Sequence, residues 1–408
     1  MVASGVALQT KYVMEGLLKT GRYTVRSIGA AVKHQQYNPI KIQEYGDDFI
    51  VYPCDGYGSP QMLRDLMDFE KPDALWLMSD PRFYWYLIEM SDEIVDRGIP
   101  LFWNTIWDNY PVPQYNKILY ESCTYLACIS ELTYDIMVQL GLSYKAEYLP
   151  HAVDPEVFKP LNKDEIQQEK VKIFGNDRKD SFFLFYNSRN ARRKKTADAV
   201  KAFKMFADAI GDKNGEKCFF FVHSDPHDQE GSDLVEVCRM LGLNDKQITF
   251  STGKVQPSDM AKFYNMCDAT ICVSAEEGFG LSSLESLMCG TLVISSKTGG
   301  LQEQNINKET GEVYGIQIEP ASKLLVGSQQ IPYIFSDHSS WEQIVSALLC
   351  VYNIHKDKRH EIGLRASEFV KKKYSLSKMI NRWDEIVTTH VTKWNGTNPD
   401  RIRLTKVS

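Results

Sequence analysis

Short runs of apolar, β-branched and aromatic residues alternate with longer stretches of helical periodicity along nearly the whole chain. That alternation predicts α/β units built on parallel sheets. In the first half, strands are expected at 48–52, 74–78, 101–103 and 125–129, with helical stretches such as 59–68 and 83–97 between them. In the second half the expected strands are 181–186, 218–222, 248–251, 269–273 and 291–294, alternating with helices at 197–210, 232–241, 257–266 and 281–289.

Residues 149–160 hold prolines at 150, 155 and 160, which remove backbone donors and restrict the residue before each ring, so regular structure should stop there. A polar, helix-like stretch follows at 163–172. This reads as an interdomain linker and predicts two α/β domains, 1–155 and 156–374, facing each other across a cleft. A length of 408 residues is too much for one core and agrees with two domains. Ligands of such sheets sit outside the carboxyl ends of the strands.

Composition narrows the function classes. Hydrophobic residues make up 43% and charged residues 25%, the balance of a soluble globular protein. The formal net charge of -6 argues against a general nucleic-acid binder, which presents a basic face to phosphates. Nine cysteines without a C-x-x-C pair suggest free thiols in a reducing compartment, with Cys267 and Cys272 as packing residues. No apolar run is long enough to span a membrane and no signal peptide is evident, so a cytoplasmic location is expected, with peripheral membrane contact left open. The sequon at Asn395 reads as chance.

Two constellations carry chemistry. The expected strand 269–273 runs into Glu277-Gly278-Phe279-Gly280-Leu281, and a helix follows with Glu285 about one turn in. The glycines allow a tight turn and close approach of a ligand, and the helix start favours phosphate. Glu277 suits sugar hydroxyls, and Glu285 suits a vicinal pair such as that of a ribose. On local grounds alone, a plain turn with a solvated glutamate remains the alternative. After strand 181–186 comes Arg189-Asn-Ala-Arg-Arg193-Lys194-Lys195, five basic residues in seven at a strand-to-helix turn. Arginine offers a bidentate fork and lysine a mobile charge for a diphosphate, against the alternative of a solvated basic loop.

Together these residues resemble family 4 of the retaining glycosyltransferases. Glu277 and Glu285 match its E-x7-E motif, Arg189 and Lys194 its arginine and lysine five apart, and Gly299-Gly300-Leu-Gln-Glu303 its Gly-Gly-x-x-E turn. The stretch Pro150-His-Ala-Val-Asp-Pro-Glu-Val-Phe158 is similar to its interdomain sequence, with Ala152 in place of the usual glycine. The resemblance implies the GT-B fold, two Rossmann-like domains with a C-terminal helix over 375–408 packing back on the first. It also implies that Arg189 and Lys194 hold a diphosphate, that Glu285 holds the ribose, and that Glu277 meets the sugar. The amides near Phe279–Leu281 would assist, and Val255 would lie near the base.

The first domain should bind the acceptor, a glycan or another hydroxyl compound. The aromatic stretch Trp103-Asn-Thr-Ile-Trp-Asp108-Asn-Tyr110 offers rings for stacking, with Asp108 the local candidate for orienting the acceptor hydroxyl. Gly5 reads as the glycine turn after a first strand and is counted with the donor-binding residues. His151 reads as structural, and His223 as either cleft-facing or strand-end bonded.

The expected activity is transfer of a hexose from a nucleotide-diphosphate sugar, GDP-mannose before UDP-glucose, with retention at the anomeric carbon and without metal or other cofactor. A sugar-nucleotide epimerase or phosphorylase of the same fold and a non-catalytic nucleotide-sugar-binding protein are the alternatives. A nicotinamide dehydrogenase is disfavoured because no strand-linked G-x-G-x-x-G is present.

Overall fold

In the computed structural model, residues 4–30 and 34–393 are described. The sequon at Asn395 lies outside them. The described residues fall into two compact units. One lies within Met1–His151, Gln329–Ile331 and Leu376–Ser408; the other comprises Ala152–Ser328 and Pro332–Ser375.

The first unit holds two sheets. Strands β1 (Val25–Gly29), β2 (Ile40–Ile42) and β3 (Gly46–Pro53) form a mixed sheet in the order β1-β3-β2. Strands β4 (Leu75–Ser79), β5 (Leu101–Thr105), β6 (Tyr125–Cys128) and β7 (Ala146–Tyr148) form a parallel sheet in chain order. Every residue of β5 and β6 is buried, as expected of strands covered on both faces. The C-terminal helix Leu376–Lys393 belongs to this unit: Arg382 forks onto Glu147 (2.7 and 2.8 Å), and Trp383 packs edge-on against Trp76.

Two expectations in this unit are corrected. Gly5 is not a turn after a strand: it opens the helix Gly5–Leu18, where the Ser4 hydroxyl accepts from the Ala7 amide (3.1 Å). A serine ahead of a run of good helix formers is an N-cap signal, and it wins here over the glycine. The helix expected at 83–97 is instead a 3-10 turn Pro81–Phe83 and two short helices, Tyr86–Glu89 and Ser91–Asp96. Asp80 caps the first of these, and the rings of Phe83 and Tyr84 turn to pack on Tyr57 and Trp103.

The second unit carries a six-stranded parallel sheet of β8 (Phe182–Asn187), β9 (Cys218–His223), β10 (Ile248–Ser251), β11 (Ala269–Cys272), β12 (Leu292–Ser296) and β13 (Gly315–Ile318). Their order is β10-β9-β8-β11-β12-β13. Strands β8 and β9 are unbroken apolar runs, and their rings stack across the ladder, Phe185 on Phe221 at 5.2 Å. The core lies between this sheet and the helices Thr196–Ala209 and Trp341–Asn353. A hairpin of β14 (Ser322–Val326) and β15 (Ile334–His338) follows; its first strand is fully exposed, so no buried periodicity marks it in the sequence.

The order of this sheet reverses between β8 and β11. Chain progression runs outward through β9 and β10 on one side and through β12 and β13 on the other. At such a switch point the loops leaving the two central strands part in opposite directions and open a crevice at their carboxyl ends.

Candidate active site

The loops that leave β8 and β11 carry both constellations found in the sequence. After Asn187 the chain passes through a 3-10 turn, Arg192–Lys194, and a left-handed Lys195 (φ 56°) before entering the helix Thr196–Ala209. After Cys272 it runs through Glu277 and Gly280 into the helix Leu281–Met288. The loops are stitched together by the Ala275 amide, which donates to the Arg193 carbonyl (2.7 Å). Tyr186 steadies the first loop by donating to the Lys194 carbonyl (3.2 Å).

At this junction the Lys194 ammonium forms a short, largely buried ion pair with the Glu277 carboxylate. Ser274 Oγ donates to the same carboxylate oxygen (3.1 Å), and an Arg193 guanidinium nitrogen lies 4.0 Å from it. Burial works against the charge on Glu277, but Lys194 and Arg193 outweigh it and hold the carboxyl below the ordinary range.

Glu285 is in a different situation. It is 8% exposed, and burial pushes its pKa up to about 7, opposed by the bond from the Tyr264 hydroxyl (2.7 Å). Two carboxylates eight residues apart are thereby set differently: Glu277 stays ionised beside cations, while Glu285 titrates near neutrality.

Glycine is required here for two reasons. Gly280 has φ +91°, and a Cβ there would stand 2.4 Å from Leu301 Cδ2. At Gly300 a Cβ would meet the Gly278 carbonyl at 2.5 Å, because the turn after β12 lies directly on the Glu277–Gly280 turn. The Gly300 amide donates to the Glu277 carbonyl (2.9 Å), and Gln304 Nε2 donates to the Phe279 carbonyl (2.6 Å). Phe279 is buried edge-on against Tyr374. Gly278 is buried too, and Leu281 opens the helix; the Ser283 and Leu284 amides donate to the Gly280 carbonyl (3.1 and 3.2 Å), while those of Leu281 and Ser282 precede any carbonyl the helix offers.

The structure groups some of the sequence-selected residues and separates others. Lys194, Glu277, Gly278, Phe279, Gly280, Leu281 and Glu285 share the two loops at the switch point. Arg189 is on the same loop as Lys194 but forks onto Asp228 (2.6 and 3.1 Å) and lies 3.6 Å from Glu230, largely exposed. Val255 is half-buried on the loop after β10. His223 closes β9 with Nδ1 3.1 Å from Ser251 Oγ, and burial lowers its pKa.

Gly5 and Asp108 belong to the first unit. There Trp103 and Trp107 are buried, Trp103 donating to the Ser79 carbonyl (3.2 Å), and Tyr110 is bound to Asp135. The rings of Trp103 and Trp107 are core and offer no stacking surface, while Tyr110 is half-buried; strand β5 runs through Thr105 and draws Trp103 inward. Half-exposed rings gather instead on the loops after β3 and β4, where Tyr57 stacks on Phe83 (3.8 Å, 10°) beside Tyr84 and an exposed Trp85. His151 is buried, and its pKa falls to about 3 through desolvation, which keeps it neutral.

Sequence reasoning missed Arg193, Asn187 and Tyr264 as site residues. Arg193 stood in the basic run without a sign of which member would face Glu277. Tyr264 stood within the expected helix 257–266 with no signal to set it apart.

Among the described residues no group of three or more His, Cys, Asp or Glu side chains is placed to hold a metal, and no helix is long and apolar enough to cross a membrane.

Residues 166–321 match the family model of the glycosyl transferases group 1. A D-inositol 3-phosphate glycosyltransferase of Rhodococcus erythropolis is 38% identical over 78 residues, 19% of this chain and 17% of that protein. The serotype-specific mannosyltransferase WbdA of Escherichia coli is 26% identical over 111 residues, 27% of this chain and 13% of that protein. The chain thus spans well under two thirds of the curated relatives it matches. The crystal structure of Anabaena HepE in complex with UDP and glucose superposes with a TM-score of 0.66 at 13% identity, covering 95% of this chain and 97% of that one. The fold is the expected GT-B fold.

Proposed function

With a group 1 glycosyl transferase domain at 166–321 as the premise, we propose that this chain moves a hexose from a nucleotide-diphosphate sugar to a hydroxyl acceptor, with retention at the anomeric carbon. The observation that carries the reading is the Lys194–Glu277 pair with Glu285 behind it, set on the two loops that leave the sheet at its reversal point.

In this reading the diphosphate lies over Lys194 and the first amides of the helix Leu281–Met288. Arg189 joins by exchanging its exposed pair with Asp228 for phosphate oxygens, an exchange that costs little because exposed ion pairs contribute little. Glu277 takes sugar hydroxyls, Glu285 the ribose diol, and the loop around Val255 the base. As the bond from the anomeric carbon to the diphosphate breaks, negative charge collects on the leaving phosphate. Fixed cations and amides stabilise it without reorganising, and the reading calls for no metal. The acceptor oxygen bonds to the anomeric carbon, and its proton passes to a departing phosphate oxygen.

The acceptor falls to the first unit, where Tyr57, Phe83 and Trp85 are better exposed for stacking than Trp103 or Trp107, and Asp108 is the candidate for orienting the hydroxyl. The preferred donor is GDP-mannose, supported by the similarity to a mannosyltransferase. A cytoplasmic location goes with this donor class.

A melting-temperature panel of GDP-mannose, UDP-glucose and ADP-glucose tests the reading, because a ligand at a hundred times its Kd adds about 2.7 kcal/mol. A shift with UDP-glucose alone replaces the GDP-mannose assignment, and no shift with any donor refutes the function. Product analysis with and without an acceptor then separates transfer from epimerisation.

A further inference from the structure

Glu285 is held from outside its own helix. Tyr264, on the helix Pro257–Asn265, is completely buried, and its hydroxyl donates to Glu285 Oε2 (2.7 Å). Asn187, the last residue of β8, donates from Nδ2 to the Tyr264 oxygen (2.7 Å). The chain of donors has one direction. With the amide nitrogen on the tyrosine oxygen, the tyrosine proton points to the glutamate. The other oxygen of Glu285 takes no hydrogen bond among the described residues.

We infer that Asn187 and Tyr264 form a positioning relay that aims the Glu285 carboxylate at the vicinal hydroxyls of the donor. The inference rests on the reading of Glu285 given above. An aligned donor chain polarises each member and strengthens the bond at its end. It also favours the ionised carboxylate, because a charged oxygen accepts a stronger bond from the Tyr264 hydroxyl than the carbonyl oxygen of a protonated carboxyl does.

Glu285's titration agrees with this. Burial raises its pKa to about 7, and the bond from Tyr264 works in the opposite direction. The titratable groups that interact with it are Tyr264 and, at the C-cap of its own helix, Cys289, whose thiol is pushed up by burial and by the Glu285 charge. Tyr264 is therefore a positioning residue, acting on the ligand through Glu285. Its backbone is fixed independently, since its carbonyl accepts from Thr291 Oγ1 (2.8 Å). Removing the hydroxyl thus tests the relay more than the helix.

The experiment titrates GDP and UDP by calorimetry between pH 5.5 and 8.5 into the wild-type chain and the variants Tyr264→Phe, Asn187→Asp and Glu285→Gln, with melting curves to verify folding. Tyr264→Phe should weaken the nucleotide that binds about tenfold at pH 7 and move the acid-side midpoint of its affinity up by about one pH unit, the effect of losing one hydrogen bond to a charged group. Asn187→Asp should act in the same direction, because a carboxylate there captures the tyrosine proton; it decides the matter if Tyr264→Phe does not fold. Unchanged affinity and midpoint in these variants, with binding weakened in Glu285→Gln, overturn the relay and leave the donor reading intact. Failure of both nucleotides to bind the wild-type chain, or no effect of Glu285→Gln, removes the donor reading and the relay with it.

Discussion

The substitution Glu285→Gln should stabilise the unliganded protein at alkaline pH and leave it unchanged under acid conditions. A glutamine keeps the shape of the side chain and an oxygen to accept from Tyr264, but carries no charge into the buried site. Moving the carboxyl pKa from 4.5 to about 7 on folding corresponds to about 3 kcal/mol at 1.36 kcal/mol per pH unit. The sign follows from proton counting. Between pH 4.5 and 7 the folded chain retains the Glu285 proton and the unfolded chain releases it, so wild-type stability falls as pH rises through that window and levels off above it. The variant has no such slope. Urea unfolding of both proteins at pH 5, 6, 7 and 8.5 should show curves that differ by less than about 1 kcal/mol at pH 5 and separate, in favour of the variant, by about 3 kcal/mol at pH 8.5. The same variant should lose nucleotide binding, so a gain in stability accompanies a loss of function. A difference independent of pH, or one that shrinks as pH rises, would show that Glu285 does not carry the burial penalty.

Other substitutions bear on separate parts of the site. Lys194→Ala should lower turnover by about a hundredfold to a thousandfold while the far-ultraviolet circular dichroism spectrum is retained; wild-type-like turnover would sink the diphosphate assignment. Gly280→Ala forces a side chain into a left-handed backbone and onto Leu301, so unfolding should show a loss of about 1–3 kcal/mol together with weakened nucleotide binding. Two helix glycines should differ from each other. A Cβ at Gly363 would stand 1.8 Å from the Gly290 carbonyl, a backbone atom that cannot move alone, whereas at Gly16 it meets the mobile end of Ile380 at 2.6 Å. Gly363→Ala should therefore lower the melting temperature clearly more than Gly16→Ala, and equal shifts would contradict the close helix contact.

How much of this could be read without coordinates depends on the kind of information. Five strands of the six-stranded sheet were legible because runs such as β8, β9 and β11 are apolar and bounded by turn residues, and buried parallel strands leave that signature directly in the sequence, whereas the half-buried edge strand β13 was not expected. Hairpin strands β14 and β15 were not legible, since β14 buries nothing and an exposed strand needs no apolar period. The reading of Gly5 failed because a glycine alone does not distinguish a turn from a helix start, and the serine before it settled the matter. The aromatic stretch failed for a related reason. Sequence gives the rings of Trp103 and Trp107 but not the direction they face; β5 carries Trp103 into the core, and Trp107 is buried on the loop that follows the strand.

By itself, then, the sequence determined the α/β class, most strands of the second unit, and the pair of glutamates bracketing a glycine turn. These follow from periodicity and turn chemistry, which act over a few residues. Which basic residue meets which acid was decided only by tertiary structure. Residues 189, 193 and 194 are near equivalents along the chain, yet Lys194 and Arg193 reach Glu277 while Arg189 is tied to Asp228 on the loop after β9. The strand order places the loop of β8 between those of β9 and β11, so its cations divide between two neighbours. The near-neutral titration of Glu285 has the same origin: the burial and the Tyr264 bond that set it come from elements distant in sequence and brought together by packing.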